Sequence, residues 1–163
     1  MSTLSLASIH DKPAVLRDSL VFSVGAEEYA IDTTLVQELR DFDHVTRLAG
    51  VPAWLLGIIN LRGNIMPLID LRLRYGQVDP DYDATTVVIV LSSGLRHAAM
   101  VVDRVADVVQ LEPRHIQPAP TLPTTALAPP LSGIAMLGDR LLAMLDGDAL
   151  LRQLDTPINA LAA

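Results

Sequence analysis

Short apolar runs separated by glycine-bearing polar turns dominate the chain, and the runs come in pairs. Leu20-Val21-Phe22-Ser23-Val24 and Tyr29-Ala30-Ile31 flank Gly25-Ala26-Glu27-Glu28, a pattern that predicts a hairpin with a four-residue loop. A tighter hairpin is predicted over residues 57–69, where Gly57 to Leu61 and Asn64 to Ile69 flank Arg62-Gly63. Pro67 lacks an N–H, so its nitrogen side must face away from a ladder partner, at an edge or a bulge. Thr86 to Leu91 with Arg96 to Val102, and Gly133 to Leu137 with Arg140 to Leu145, predict two more hairpins.

The hairpins imply an internal repeat. Gly57 and Asp70 are thirteen residues apart, as are Gly133 and Asp146, and each interval encloses strand, glycine turn and strand. Leu-rich segments follow both, at Leu71 to Tyr75 and Ala149 to Leu154. Asp32 precedes a strand containing Val36-Gln37-Glu38, and Asp103 precedes Val105-Ala106-Asp107-Val108. Runs such as Val87 to Leu91 and Ala98 to Val102 are apolar on both faces. One face then fills a barrel while the other buries against the second half. The expected fold is all-β: two small antiparallel barrels, from about 20–76 and 84–150, pressed over a shared apolar core.

Helix is minor in this reading. Pro52 to Leu56 suits a single turn with proline at its start, and Asp148 caps a short helix ending at Leu154. Residues 1–18 and 156–163 are expected as flexible tails around a domain at 19–155, with order starting near Leu20. Six prolines between residues 112 and 132 predict an extended loop without regular structure, either a plain surface connection or a proline-recognition motif.

Composition narrows the function. Half of the 163 residues are hydrophobic, so the chain can bury a core, but only 4% are aromatic and that core must be aliphatic. The net charge of −7, with Lys12 the single lysine, disfavours nucleic acid and anionic membrane surfaces. Without cysteine there are no disulfides or thiolate chemistry. No apolar run is long enough to span a bilayer and no secretory signal opens the chain, which places it among acidic, soluble, cytoplasmic proteins.

Catalytic patterns are missing. His10, His44, His97 and His115 have no metal-ligand spacing. Asp79-Pro80-Asp81-Tyr82-Asp83 lacks the glycine and distal glutamate of a calcium loop and reads as an acidic linker. There is no phosphate-binding glycine loop and no serine elbow. The expectation is a monomeric protein without metal, cofactor or catalytic residues. A free-standing barrel that binds a small ligand between its halves stays open as an alternative, whereas a hydrolase with dispersed carboxylates has no motif behind it.

Residues Val51 to Arg72, with Asn60-Leu61-Arg62-Gly63 at their centre, closely resemble the signature of the CheW family of chemotaxis coupling proteins. Residues 25–32, 36–40 and 101–108 resemble the family at matching distances, so the likeness runs from about Leu20 to Leu154. The resemblance implies two SH3-like five-stranded barrels and a non-enzymatic adaptor. Such an adaptor holds the histidine kinase CheA, through its regulatory domain, against the cytoplasmic tips of chemoreceptors in arrays at the inner face of the membrane. A detached piece of that kinase has the same fold, but the chain holds no ATP-binding or phosphotransfer segment. There is also no room for the receiver domain of a longer CheV-type protein.

By the same resemblance, Val36, Glu38, Gly57, Arg62, Val105 and Val108 lie at positions linked to receptor coupling, and Asn60 and Gly63 belong to the same hairpin signature. Read from the residues alone, Val36 and Val108 suit a core, Glu38 and Arg62 a surface ion pair, and Gly63-Asn64 a tight turn. Ala99 and Arg104 depart from the family, which often has glycine at both positions.

Overall fold

Glycine turns and two-faced apolar strands set the architecture. The computed structural model describes residues 17–43, 45–121 and 127–155; of the expected tails at 1–18 and 156–163 only Arg17 and Asp18 are described, as part of a strand, and His10 and His44 also lie outside the described residues. β1 (Arg17–Val24) and β2 (Glu27–Asp32) form the first hairpin. Its loop is two residues, not four, because Ser23 pairs with Glu28 and Val24 with Glu27 while Gly25 takes a φ of 63°. β1 also starts earlier than Leu20, since Arg17 and Asp18 pair with Leu111 and Gln110.

A 3-10 turn at Thr33–Leu35, capped by the Asp32 side chain, leads into β3 (Val36–Asp41). The turn at Pro52 closes through the Leu55 N–H and the Pro52 carbonyl at 3.0 Å, then runs straight into β4 (Leu55–Leu61) rather than into helix. β5 (Asn64–Asp70) follows, and Asp70 caps a four-residue helix, α1 (Leu71–Arg74), inside the Leu-rich segment. β6 (Val87–Ser93), β7 (Arg96–Val102) and β8 (Arg104–Leu111) come next. The proline-rich stretch, apart from residues 122–126, which lie outside the described residues, is less irregular than its composition suggests. It holds a 3-10 turn at Pro113–His115 and a two-residue strand, β9 (Ile116–Gln117), which pairs with β10 (Leu131–Leu137). β11 (Arg140–Leu145) precedes α2 (Gly147–Leu154), whose cap is Asp146: its carboxylate accepts from the Ala149 N–H at 3.0 Å. Asp148, expected as the cap, lies inside the first turn and accepts from the Ser93 hydroxyl at 2.6 Å instead.

The strands make two sheets, ordered β8-β1-β2-β11-β10-β9 and β3-β6-β7-β5-β4. Each holds two hairpins, β1–β2 with β10–β11 in one and β6–β7 with β4–β5 in the other, and each is completed by a strand exchanged from elsewhere. β3 leaves β1–β2 and pairs with β6, whereas β8 leaves β6–β7 and pairs with β1. β5 runs parallel to β7, and β11 parallel to β2. Both sheets thus draw strands from 20–76 and from 84–150, and the two segments interlock. β5 is an interior strand, not an edge. Pro67 is tolerated because the parallel pairing with β7 begins one residue later, at Leu68.

The repeat extends to register. Val36 faces Leu91 and, after a bulge, Glu38 faces Val90; Val105 faces Phe22 and, after a bulge, Asp107 faces Val21. Likewise Leu55 faces Ile69 and, after a bulge, Gly57 faces Leu68, while Leu131 faces Leu145 and Gly133 faces Met144.

Alternation along these strands divides the core in three. Phe22, Ile31, Ile89, Leu91, Met100 and Leu150 are buried between the sheets. Val21, Ala30, Leu111 and Leu142 are buried inside the six-stranded sheet, and Met66, Leu68, Val90 and Val101 inside the five-stranded one. Every wholly buried Leu, Ile or Met side chain stabilises the fold by about 1.5–3 kcal/mol. The central strands need both faces covered, which neither sequence segment can do alone.

Candidate interaction site

The β4–β5 turn presents the most distinctive surface feature. Arg62 and Gly63 occupy its two central positions with φ of 51° and 88°, so the ends of both strands fold back within two residues. Asn60 holds the turn from inside: its Oδ1 accepts the Gly63 N–H at 2.9 Å. Arg62 projects outward with its side chain 71% exposed, and its guanidinium donates to both carboxylate oxygens of Glu38, at 2.8 and 3.5 Å. β3 and β4 are opposite edges of the five-stranded sheet, so this ion pair spans its two margins.

Gly57 explains how those margins meet. Thr46 and Ile58 exchange backbone hydrogen bonds at 3.1 and 3.0 Å, laying the segment after β3 across β4. A Cβ on Gly57 would lie 2.0 Å from the Thr46 carbonyl oxygen, and the glycine φ is 155°. Only glycine admits this crossing. Glu38, Gly57, Asn60, Arg62 and Gly63 therefore fall along the seam where the two margins of one sheet meet. A cleft lined by Arg40, Asp43, Thr46, Ile58 and Asn60 lies along the same seam.

The three valines are placed differently. Val36 and Val105 are register counterparts, each half-buried against the core between the sheets. Val108, opposite Leu20 on β8, is 57% exposed and is not the core valine its residue type suggests. Its counterpart on β3 is Leu39, opposite Ile89 and also exposed. Leu39 escaped the sequence reading because nothing local separates an exposed leucine on an edge strand from a buried one.

Two charge clusters were also missed. Arg72 is wholly buried, and its guanidinium donates to Asp70, to Asp103 and to the Asp81 carbonyl while stacking over Tyr82. Burial works against its charge, but the bonds from Asp70 and Asp103 outweigh that and hold its pKa above the ordinary arginine value. The linker read as simply acidic is pinned by this cluster. The second cluster is Arg140 with Asp107 and Glu28, all four contacts at 3.2–3.3 Å. Hydrogen bonds that it donates to Asp107 and then Glu28 hold the Arg140 pKa above its ordinary value. The repeat was the available signal: Glu38 and Asp107 occupy the same register position, and each meets an arginine at or beside its sheet's other hairpin turn.

No group of three His, Cys, Asp or Glu among the described residues is arranged to hold a metal. No helix among them is long and apolar enough to cross a membrane. The site consists of an exposed charged turn and half-buried apolar edge strands, an arrangement suited to protein contacts.

Comparison with known proteins agrees with the motif resemblance. Residues 18–155 match the family model described as CheW-like domain. The chain is 43% identical to chemotaxis protein CheW of Klebsiella aerogenes over 151 residues, covering 93% of this chain and 91% of that protein. It is 33% identical to chemotaxis protein CheW of Bacillus subtilis over 134 residues, covering 81% and 85%. The crystal structure of the scaffolding protein TtCheW from Thermoanaerobacter tengcongensis superposes with a TM-score of 0.72 at 30% identity, covering 80% of this chain and 88% of that one. With its motifs, its paired sheets and these relatives in agreement, this chain belongs to the CheW family.

Proposed function

We propose that the protein is a non-enzymatic scaffold that couples chemoreceptors to the histidine kinase CheA. It acts in the cytoplasm, in arrays at the inner face of the membrane. Relatives named as chemotaxis and scaffolding proteins support this reading and favour it over a free-standing ligand-binding module.

One observation within the chain carries it furthest. Arg62 stands at a turn tip in a left-handed conformation that disfavours non-glycine residues, and its exposed ion pair with Glu38 contributes at most about 1 kcal/mol. The fold does not need an arginine there, whereas a partner offering carboxylates or carbonyl oxygens does. Val36, Val105 and Val108 add the apolar part of the surface, suited to the side chains of a receptor helix.

Co-sedimentation with receptor-containing membranes, with and without CheA, tests the proposal. Arg62→Glu should change stability by only about 0.5–1 kcal/mol, since both the arginine and its ion pair are surface features. It should lower recruitment more than tenfold, because disrupting a charged contact buried on docking costs about 2–5 kcal/mol. Full recruitment of a normally melting variant would overturn the assignment at Arg62. A wild-type protein that neither sediments with receptors nor binds CheA would overturn the function.

A further inference from the structure

From the matched registers of Glu38 and Asp107, we infer that Arg140, which stands at the register position of Asn64 beside its turn, is a positioning residue that serves the second sheet as Arg62 serves the first. It holds β8, and with it Val105 and Val108, in the arrangement that couples. The inference rests on the proposed function.

β8 is an edge strand paired only with β1. It carries a bulge between Val105 and Asp107, so the ladder beside both valines is interrupted. Edge strands with broken ladders open at low free-energy cost unless side chains tie them down. The tie here is Arg140, at the start of β11. Nη1 and Nη2 reach the two Asp107 oxygens at 3.2 Å each, and Nε and Nη2 reach the two Glu28 oxygens at 3.3 and 3.2 Å. One guanidinium thus clamps β8 to β2 and to the β10–β11 turn with two forked, charge-assisted contacts, and Val108 follows immediately after the clamped Asp107.

The arrangement repeats what Arg62 does for β3. Asp107 opposes Val21 as Glu38 opposes Val90, each just past the bulge that follows a half-buried valine. Both bridges join an outer strand to the turn region of the hairpin that forms the fourth and fifth strands of its own sheet. The Arg140 side chain is 36% exposed against 71% for Arg62, which leaves Arg140 less free to reach a partner directly. Its effect is therefore exerted through β8.

The test uses the full chain in reconstituted receptor–CheA assemblies, with Arg62→Glu, Arg140→Glu and the charge exchange Arg140→Asp with Asp107→Arg prepared side by side. Arg140→Glu should melt near the wild type, show faster amide exchange confined to β8, and lower receptor-dependent kinase stimulation about threefold or more. The charge exchange should restore stimulation and β8 protection together, which a purely local packing defect would not do. Should Arg140→Glu fail to fold, Arg140→Gln, which removes the charge without adding repulsion, is read in the same way. Normal stimulation by the Arg140 variant, or a loss that the charge exchange leaves unrestored, overturns the inference, while Arg62→Glu still uncoupling leaves the proposed function standing. Full coupling by Arg62→Glu instead counts against the proposed role of Arg62, whatever Arg140 does.

Discussion

Arg72 and Asp70 are both wholly enclosed and ion-paired across only two residues of chain: Nε donates to Oδ1 at 3.0 Å and Nη2 to Oδ2 at 2.9 Å. The same carboxylate caps α1 through the Arg72 N–H at 2.9 Å and accepts the Tyr82 hydroxyl at 2.5 Å. The remaining arm of Arg72 reaches Asp103 at 3.2 Å, and Asp103 accepts the Gly25 N–H at 2.6 Å. One connected set of bonds therefore joins the helix after β5, the linker, the β7–β8 junction and the first hairpin turn.

Arg72→Leu should cost about 3–5 kcal/mol, because removing one partner leaves a buried charge uncompensated. Pairing it with Asp70→Asn should recover part of that loss, since the orphaned charge disappears. Urea denaturation of the two variants checks this. A loss below about 1 kcal/mol for Arg72→Leu would mean the pair is solvated in solution.

Gly57→Ala should destabilise strongly. The added Cβ meets the Thr46 carbonyl oxygen at 2.0 Å, and backbone on both sides prevents easy relief. Overpacking of this kind costs about 1–3 kcal/mol, with the unfavourable φ adding to it. The Thr46–Ile58 bridge should open, seen as lost amide protection at Ile58. Retained protection would refute the close approach.

Gly63→Val should cost about 1–3 kcal/mol for a different reason. Nothing lies within 4 Å of the added Cβ, so the penalty comes only from holding a β-branched residue at a φ of 88°. Gly63→Asn should therefore be much milder, because asparagine tolerates left-handed backbone. Equal melting losses for both variants would indicate a steric cause instead.

The tyrosines give a pH signature. Burial first, then the Asp70 hydrogen bond and charge, pushes the Tyr82 phenol up to about 12, and burial pushes Tyr75 up to about 12 as well. Tyr29 is raised further, by burial and then by Glu27. A raised folded-state pKa means that this stabilisation is complete below the unfolded value near 10 and is lost as pH rises toward 12. Phenolate absorbance of the folded protein should appear well above the pH at which the urea-unfolded chain titrates. Coincident titrations would contradict the burial of these rings.

Much of the local structure was legible in the chain. Glycine between apolar runs marks a turn because few other residues accept positive φ, and this located all four principal hairpins as well as the Arg62-Gly63 tip. The Asn60-Leu61-Arg62-Gly63 motif pointed to the family, and spacing from Gly57 to Asp70 and from Gly133 to Asp146 revealed a repeat whose carboxylates prove to cap α1 and α2. Apolar strands on both faces announced the burial seen between and within the sheets.

Which strands share a sheet was decided only by the tertiary structure. A hairpin is a local contact written in adjacent residues, but β3 joining β6 and β8 joining β1 bring together partners about fifty or more residues apart in the chain, which no turn specifies. The exchange follows from covering both faces of β1 and β6 at once. The same long-range packing enclosed Arg72, left Val108 and Leu39 exposed on edge strands, and set Arg140 against Asp107 and Glu28. Charge and hydrophobicity along the chain name the residues able to do these things. Burial and partnership belong to the folded surface, because they depend on which distant strand arrives alongside.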